Sequence, residues 1–202
     1  MKGYRMRPRL SIGAALLGSF LIYMVPGVVS AACEDPPAPQ VNWANCNKKS
    51  ASLGNADLRG ANLRQTNFMG AALGGINLQG ADLTEANLLS ANLSNANLSQ
   101  AVLTKANLHG AVAVQTNFHN AELMQANLRR AMLRKANLTG ANLSEADLSE
   151  AELSGADLTK ANLSGAKLRQ ADLGGIDLAD VVGLTPEQLE PALKKEDIHI
   201  QR

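Results

Sequence analysis

The residues of this chain that are equipped for chemistry are few and far apart. Histidine, which binds metals and transfers protons at neutral pH, occurs three times among 202 residues, as His109, His119 and His199. Serine is abundant, but no serine has a general base beside it, and the chain has no glycine-rich loop of the kind that binds phosphate. Catalysis therefore depends on whether the fold brings distant residues together.

The overall charge is nearly balanced, with Lys+Arg 19 and Asp+Glu 18. This balance disfavours both a nucleic-acid-binding protein with a strongly basic surface and an acidic mimic of nucleic acid. The chain is 46% hydrophobic but only 3% aromatic, so its apolar residues are mainly alanine and leucine. We expect one domain, whose local patches rather than its net charge decide what it binds.

Residues 1–32 are typical of a secretory signal peptide. The basic residues Lys2, Arg5, Arg7 and Arg9 precede an uncharged apolar stretch, 10–29, which is followed by the small residues Ser30, Ala31 and Ala32. We expect cleavage after Ala32 and export to the periplasm or outside of a bacterial cell. The apolar stretch is also just long enough to span a bilayer of roughly 30 Å, so an uncleaved membrane anchor is the alternative.

The only two cysteines, Cys33 and Cys46, follow directly after the predicted cleavage point. In an oxidising compartment the simplest pairing is a disulfide between them. The stretch 29–33 also weakly resembles the cleavage box of a bacterial lipoprotein, in which Cys33 would carry the lipid and Cys46 would stay unpaired. Membrane attachment is therefore expected only through that lipid or through an uncleaved signal.

Leucine falls on every fifth residue through most of the chain, as in ANLSNANLSQAVLTKANLHG at residues 91–110. On an α-helix this spacing rotates successive leucines by about 140°, and on a strand it sends them to alternate sides, so neither element buries them together. Residues 51–180 form 26 pentads, with Ala first in 22, Asn or Asp second in 18 and Leu third in 23. Because no pentad can bury its leucine alone, the pattern indicates a solenoid.

The pattern A-(D/N)-L-x-x, which covers about two thirds of the chain, resembles the pentapeptide repeat family. The resemblance implies an all-β fold, a right-handed quadrilateral parallel β-helix in which four pentads complete one coil. Ala and Leu would point inward and the other positions outward, so Leu98 would be buried and its neighbour Ser99 exposed. Residue n would stack on residue n+20 at about 4.8 Å, in a rod roughly 30 Å long.

This stacking converts the sequence into columns. Two ladders of asparagine are expected on opposite faces, one of Asn67, Asn87, Asn107 and Asn127 and the other of Asn77, Asn97, Asn117 and Asn137. In the interior, Ala113 interrupts the leucine column, and the larger Phe118 in the same coil is expected to fill the space.

The same map disfavours a catalytic site. His109 and His119 would project from opposite faces of one coil, so they could not share a metal or a substrate. We therefore expect no catalytic residue, no metal site and no cofactor, and we predict that the protein is not an enzyme.

Both ends of an open β-helix expose unpaired backbone and need cover. At the N-terminal end, residues 33–50 are predicted to form a cap in which Trp43 is an apolar plug, held in place by Cys33 and Cys46. At the C-terminal end, residues 181–202 are predicted to form a second cap.

The second cap is predicted to contain a short helix. Thr185, Pro186 and Gln188 are typical of a helix start with a capping box, and Pro191 is expected to end the helix early. Three leucines, Leu184, Leu189 and Leu193, would then lie over the last coil.

A basic cluster is the strongest candidate for binding a partner. Its members, expected to gather around one corner of the rod with His109 beneath Arg129, are Lys105, His109, Arg129, Arg130, Arg134 and Lys135. Glu150 follows Arg130 by twenty residues, and Lys105 follows Glu85 by the same interval, so one interpretation is a set of cross-coil ion pairs. The other is a site for an anionic partner, built from cations without acidic neighbours and extended by Val112, Val114 and Met132.

Three functions are compatible with these features. The first is a non-enzymatic exported scaffold that presents a face to a protein or an envelope component, and the second is the same scaffold anchored by lipid. The third is DNA mimicry, by which some cytoplasmic members of the family inhibit topoisomerases. The repeat region carries 12 acidic and 10 basic residues, which is far from the long negative stripe that mimicry needs. No nucleic-acid partner is expected.

Overall fold

The computed structural model of the protein describes residues 32–192. The predicted signal peptide, apart from its last residue, and the C-terminal residues Leu193 and His199 lie outside the described residues.

The backbone winds into a four-sided coil with twenty residues per turn. From Asn42 to Glu152, parallel bridges join every second-position residue to the residue twenty positions later, as in Asn67 with Asn87 and Val112 with Met132. Up to Leu153, the N–H of each inward leucine donates to a carbonyl of the next coil, for example Leu98 to Asn117 at 2.7 Å. The predicted stacking of n on n+20 is therefore confirmed, although each side contributes a single bridging residue rather than a continuous strand.

Each side of the coil ends in a two-residue turn at the fourth and fifth positions. The fifth residue has a positive φ in almost every pentad, for example 59° at Lys105 and 56° at Arg130, and the next N–H donates back to the leucine carbonyl. A positive φ at the second turn residue is the requirement of a type II turn. Every Asn or Asp at the second position of residues 51–180 accepts a hydrogen bond from the N–H two residues later, which explains the preference for these residues.

Alanine and leucine fill the interior as predicted. Between Ala61 and Leu173 every first and third position is buried, including Ala113 and Phe118. Thr116 replaces the usual alanine, and its hydroxyl donates to the Leu93 carbonyl at 2.7 Å, so the polar group is satisfied. The expected exposure of Ser99 needs correction, because only 8% of this residue is exposed.

Four outward faces run along the rod, and we name each after one second-position residue. In order around the coil they are the Val102, Asn107, Met132 and Asn117 faces, separated by the two-residue turns. The Asn107 and Asn117 faces are opposite each other and carry the two predicted asparagine ladders. Neighbouring side-chain amides pair between coils on both, at 3.2 to 3.4 Å on the Asn107 face and 3.2 Å on the Asn117 face.

The coil starts earlier than the predicted boundary at residue 51. Asn42 and Asn47 already bridge to Asn62 and Asn67, and Val41 and Cys46 occupy the alanine position of two further pentads. Trp43 occupies a leucine position and is 1% exposed, so it belongs to the first coil rather than lying over it. These two pentads were not recognised in the sequence, because Trp43 and Cys46 stand where a pentad usually has Leu and Ala.

A short loop covers this first coil. Cys33 forms a disulfide with Cys46, with a Cα–Cα distance of 5.4 Å. The indole Nε1 of Trp43 donates to the Asp35 carbonyl at 3.2 Å, and the Nζ of Lys48 lies 3.8 Å from the centroid of the same ring. The predicted pairing of the cysteines is thus present, and it ties the loop to the end of the rod.

One helix, α1 (Pro186–Leu189), follows the last coil. Its N-terminus has the predicted capping box, in which the Thr185 side chain accepts from the Gln188 N–H and the Gln188 Oε1 accepts from the Thr185 N–H. The Gln188 Nε2 also donates to the carbonyls of Leu163 and Ala166, at 2.8 and 2.9 Å. Leu184 and Leu189 pack half-buried against the core, as predicted.

Candidate interaction surface

The histidines do not form a site. His109 and His119 lie in turns at diagonally opposite corners of one coil, and the ring of His119 contacts the side-chain amide of Asn120 at 3.0 Å. Within residues 32–192, no group of His, Cys, Asp and Glu side chains is arranged to hold a metal ion. That same part of the chain contains no helix long and apolar enough to cross a membrane.

The predicted basic cluster is divided among three turns. Lys105 lies in the turn between the Val102 and Asn107 faces, and Arg129 and Arg130 lie in the next turn, directly above His109. Arg134 and Lys135 lie one turn further round, between the Met132 and Asn117 faces. The prediction of a single corner is therefore wrong, because five residues along the chain is a quarter of a coil and moves a side chain to the next corner.

The cations of the central turn share one carboxylate. Glu150 accepts from the Nε of Arg130 at 2.8 Å and from the Nη2 of Arg129 at 3.2 Å, and the Nη2 of Arg169 lies 3.7 Å away. The Nε of Arg129 is buried and has no hydrogen-bond partner. The expectation that Arg129 is among the cations without acidic neighbours is wrong, because its long side chain reaches Glu150, twenty-one residues along the chain.

Arg134 also has an acidic partner, which lies on the neighbouring face. Its Nη1 donates to Glu152 at 3.0 Å, eighteen residues along the chain. Lys135 and Lys105 have no ion pair within the described part of the chain. The predicted pair of Lys105 with Glu85 is absent, because the Glu85 carboxylate instead accepts from Gln65 at 2.7 Å.

These cations also act on the acidic groups around them. The side-chain hydrogen bond from Arg130, supported by Arg129, lowers the pKa of Glu150 below its ordinary value. Burial opposes ionisation of Asp147, but hydrogen bonds from Ser149 and the charges of Lys167 and Arg129 lower the pKa of this carboxyl overall. Both groups are therefore held as carboxylates at neutral pH.

The outward apolar side chains are concentrated on one side of the rod. We define the Met132 surface as the Met132 face with the turns on both sides of it. Residues 51–180 contain seven outward apolar residues that are larger than alanine. Five of them lie on the Met132 surface: Met69, Leu89, Val112, Val114 and Met132. The other two, Val102 and Met124, lie on the Val102 face and its following turn. Sequence reasoning missed Met69 and Leu89. The signal was present, because both are fourth residues of their pentads and they lie twenty residues apart.

The Met132 surface also differs in charge from the rest of the repeats. It carries five basic residues, Arg129, Arg130, Arg134, Lys135 and Arg169, and three acidic ones in the same coils, Glu150, Glu152 and Asp172, between residues 121 and 180. Its net charge is +2 over this length, whereas the repeat region as a whole has two more acidic than basic residues. A shallow groove lined by Arg130, Glu150, Glu152 and Gln170 opens on this surface.

The comparison with protein families agrees with the coil geometry. The model described as pentapeptide repeats matches eight copies, which together span residues 40–175. The chain belongs to the pentapeptide repeat family, whose members fold as right-handed quadrilateral β-helices. No curated protein matches the chain significantly.

Solved structures that are similar to this rod include HetL and QnrB1. HetL, a pentapeptide repeat protein involved in heterocyst differentiation regulation from the cyanobacterium Nostoc sp. strain PCC 7120, is 36% identical, with coverage of 71% of this chain and 72% of HetL and a TM-score of 0.51. Full-length QnrB1, a plasmid-mediated fluoroquinolone resistance protein, is 17% identical, with coverage of 78% of this chain and 97% of QnrB1 and a TM-score of 0.50. The likeness to QnrB1 shows the fold alone.

Proposed function

We propose that this protein is an exported, non-enzymatic scaffold that presents the Met132 surface to another protein or to an envelope component. The observation that carries this proposal is the concentration of outward apolar and basic side chains on one surface of an otherwise polar repeat. Outward positions elsewhere also accept Ser, Thr, Gly and Asn, so the core does not require these substitutions. A binding role accounts for their common location.

The proposal of a non-enzymatic role is supported by the way the polar side chains are used. The second-position carboxylates and amides cap turns, and the arginines of the Met132 surface are engaged by Glu150 and Glu152. A nucleophile, a base and an orienting group within hydrogen-bond reach would indicate catalysis, and residues 32–192 contain no such arrangement of histidine with serine or cysteine. Binding requires none of these groups.

The proposal of export rests on the residues before the rod. The basic residues, the apolar stretch and the small residues at 30–32 are in the order of a signal peptide, and a disulfide between Cys33 and Cys46 suits an oxidising compartment. Fractionation of the producing bacterium tests this: we expect periplasmic or secreted protein whose intact mass begins at Cys33 and includes no free thiol. Protein that stays in the cytoplasm with two alkylatable thiols would overturn export.

A lipid anchor is the second candidate, because Cys33 follows directly after the small residues. The Sγ of Cys33 is occupied by the disulfide in the folded protein, which favours the unanchored form. Fractionation of wild type and of Cys33→Ser separates the two. Detergent-dependent wild type, with a diacylglycerol mass on Cys33 and soluble Cys33→Ser, would establish the anchor, whereas soluble wild type excludes it.

A further inference from the structure

We infer that the Met132 surface docks an acidic, amphipathic segment of a partner protein. This inference rests on the proposed scaffold function and adds the chemistry of the partner. The surface has an apolar part, which extends from Met69 to Met132, and a basic part, which begins at Arg129 and extends to Arg169. The two parts overlap in a single coil.

The apolar part occupies two neighbouring columns of the rod. Met69 and Leu89 occupy successive levels of one turn, and Val112 and Met132 are bridged neighbours on the adjacent face. All four side chains are partly exposed, so a partner can cover them. Covering them would remove apolar area from water, which favours a partner with apolar side chains of its own.

The basic part selects for negative charge. Five cations face three carboxylates, Glu150, Glu152 and Asp172, and Lys135 has no ion pair in the described chain. The side chains of Arg130, Arg134 and Arg169 are 61%, 50% and 62% exposed, so at least half of each side chain remains accessible to a second carboxylate. A basic partner would meet uncompensated repulsion here, whereas an acidic one would be attracted.

The join between the two parts favours a protein over a charged polymer. An anionic envelope polymer would satisfy the arginines but would leave Val112, Val114 and Met132 exposed. An acidic amphipathic segment covers both parts, and the groove beside Arg130, Glu150 and Glu152 has room for one of its side chains. Arg129, Met132 and Arg134 lie in one coil. The partner must therefore place its acidic and its apolar side chains next to each other.

The repeat supplies matched control variants for each contact. Val112 and Val102 are half-buried second-position valines in the same coil but on opposite faces, so Val112→Asn is compared with Val102→Asn. Arg134 pairs with Glu152 as Arg64 pairs with Asp82, each eighteen residues apart and at 3.0 and 3.1 Å, so Arg134→Ser is compared with Arg64→Ser. Lys135→Ser is compared with Lys105→Ser, because both are exposed fifth-position lysines with φ of 56° and 59°.

The test measures fluorescence anisotropy of short labelled peptides with the full exported protein, in a peptide set that varies apolar content and net charge independently. Polyphosphate is the polymer probe. We expect binding to require both apolar residues and negative charge, to weaken as salt rises, and to fall about threefold in Val112→Asn, Arg134→Ser and Lys135→Ser but not in their controls. Glu152→Gln should strengthen binding because it frees Arg134, while Asp82→Asn should not.

The inference is overturned by any of three results: absence of binding, equal effects of the paired variants, or polyphosphate binding that is insensitive to Val112→Asn. None of these bears on export or on the lipid anchor, which fractionation tests separately. Thermal unfolding of each variant identifies any loss of binding that is due to loss of the fold.

Discussion

The Nζ of Lys48 donates a 2.5 Å hydrogen bond to the carbonyl oxygen of Cys33. Lys48 stands at the position that leucine fills in the later coils, and its ammonium group also lies over the ring of Trp43. A cation here can contact both the indole face and a loop carbonyl, which leucine cannot. The first coil therefore has, at one leucine position, a side chain that binds the covering loop. In the later coils the residues at this position pack in the core.

Loss of the disulfide should loosen this end of the rod. The double change Cys33→Ser with Cys46→Ala removes the crosslink and restores the repeat's own residue at position 46. We expect a loss of about 3 kcal/mol in the free energy of unfolding, because the loop of thirteen residues is no longer closed in the unfolded chain. Thermal unfolding and the emission of Trp43, the single tryptophan, measure it.

The matching control is the wild-type protein treated with reductant. It should reproduce the lower stability and the red-shifted emission of the double variant, whereas reductant should leave the double variant unchanged. An equal response of both proteins to reductant would contradict the role of this disulfide.

Replacement of Leu98 by Asp should abolish the fold, because a carboxylate would be buried in a leucine column that offers it no polar partner. We expect a loss of about 5 kcal/mol or more in the free energy of unfolding. Gln100→Asp is the control: Gln100 is exposed, and its φ of 58° is one that Asp tolerates. Similar circular dichroism and thermal midpoints for the two variants would mean that the inward register is wrong.

Gln188 offers a test of the C-terminal end. In the inner coils an alanine carbonyl accepts from a backbone N–H of the next coil, as Ala146 does from Lys167, and at Ala166 the Gln188 side-chain amide takes that place. Gln188→Glu keeps the acceptor of the capping box but sets a carboxylate against two carbonyl oxygens. We expect a loss of about 2 kcal/mol by denaturant unfolding.

The control for this change is Gln115→Glu, which makes the same substitution at an exposed turn residue of an inner coil. It should leave the denaturant midpoint almost unchanged. If Gln188→Glu also unfolds at the wild-type midpoint, the amide does not replace the missing backbone donor.

Glu150 predicts how stability depends on pH. Its pKa is lowered in the folded protein, chiefly by Arg130, from an ordinary value of 4.5. The stabilisation is therefore complete above the ordinary pKa and is lost as the pH falls through the lowered one. Glu150→Gln should be less stable than wild type at neutral pH, and the difference should shrink in acid. Denaturant unfolding at several pH values measures this, and a difference that does not change with pH would argue against the ion pairs.

The sequence and its resemblance to the pentapeptide repeat family were sufficient for the coil and its core. The resemblance implied four pentads per coil with Ala and Leu inward, so Leu98 and the ladder from Asn67 to Asn127 could be placed by counting. The capping box at Thr185 and Gln188 was also readable, because helix starts depend on neighbouring residues. These features are set by local spacing.

The surface was harder to predict because arginine side chains are long. Counting by twenty stacks Glu150 on Arg130 in one column. The side chains of Arg129 and Arg134, however, reach acidic residues outside their own columns. The start of the coil was also hidden, since Trp43 and Cys46 replace the Leu and Ala that mark a pentad. Both errors arise where a side chain departs from the repeat.

The turn at every fifth residue has a consequence for how such a rod can change. Insertion of one extra pentad, such as ANLSG, would keep Ala and Leu facing the interior, because each pentad brings its own side of the square. It would rotate every later outward residue by a quarter turn, so Arg134 would move away from the line of Met69 and Leu89 while the interior stayed intact. The interior and the arrangement of the outer surface are thus specified separately, the one by residue type and the other by residue count.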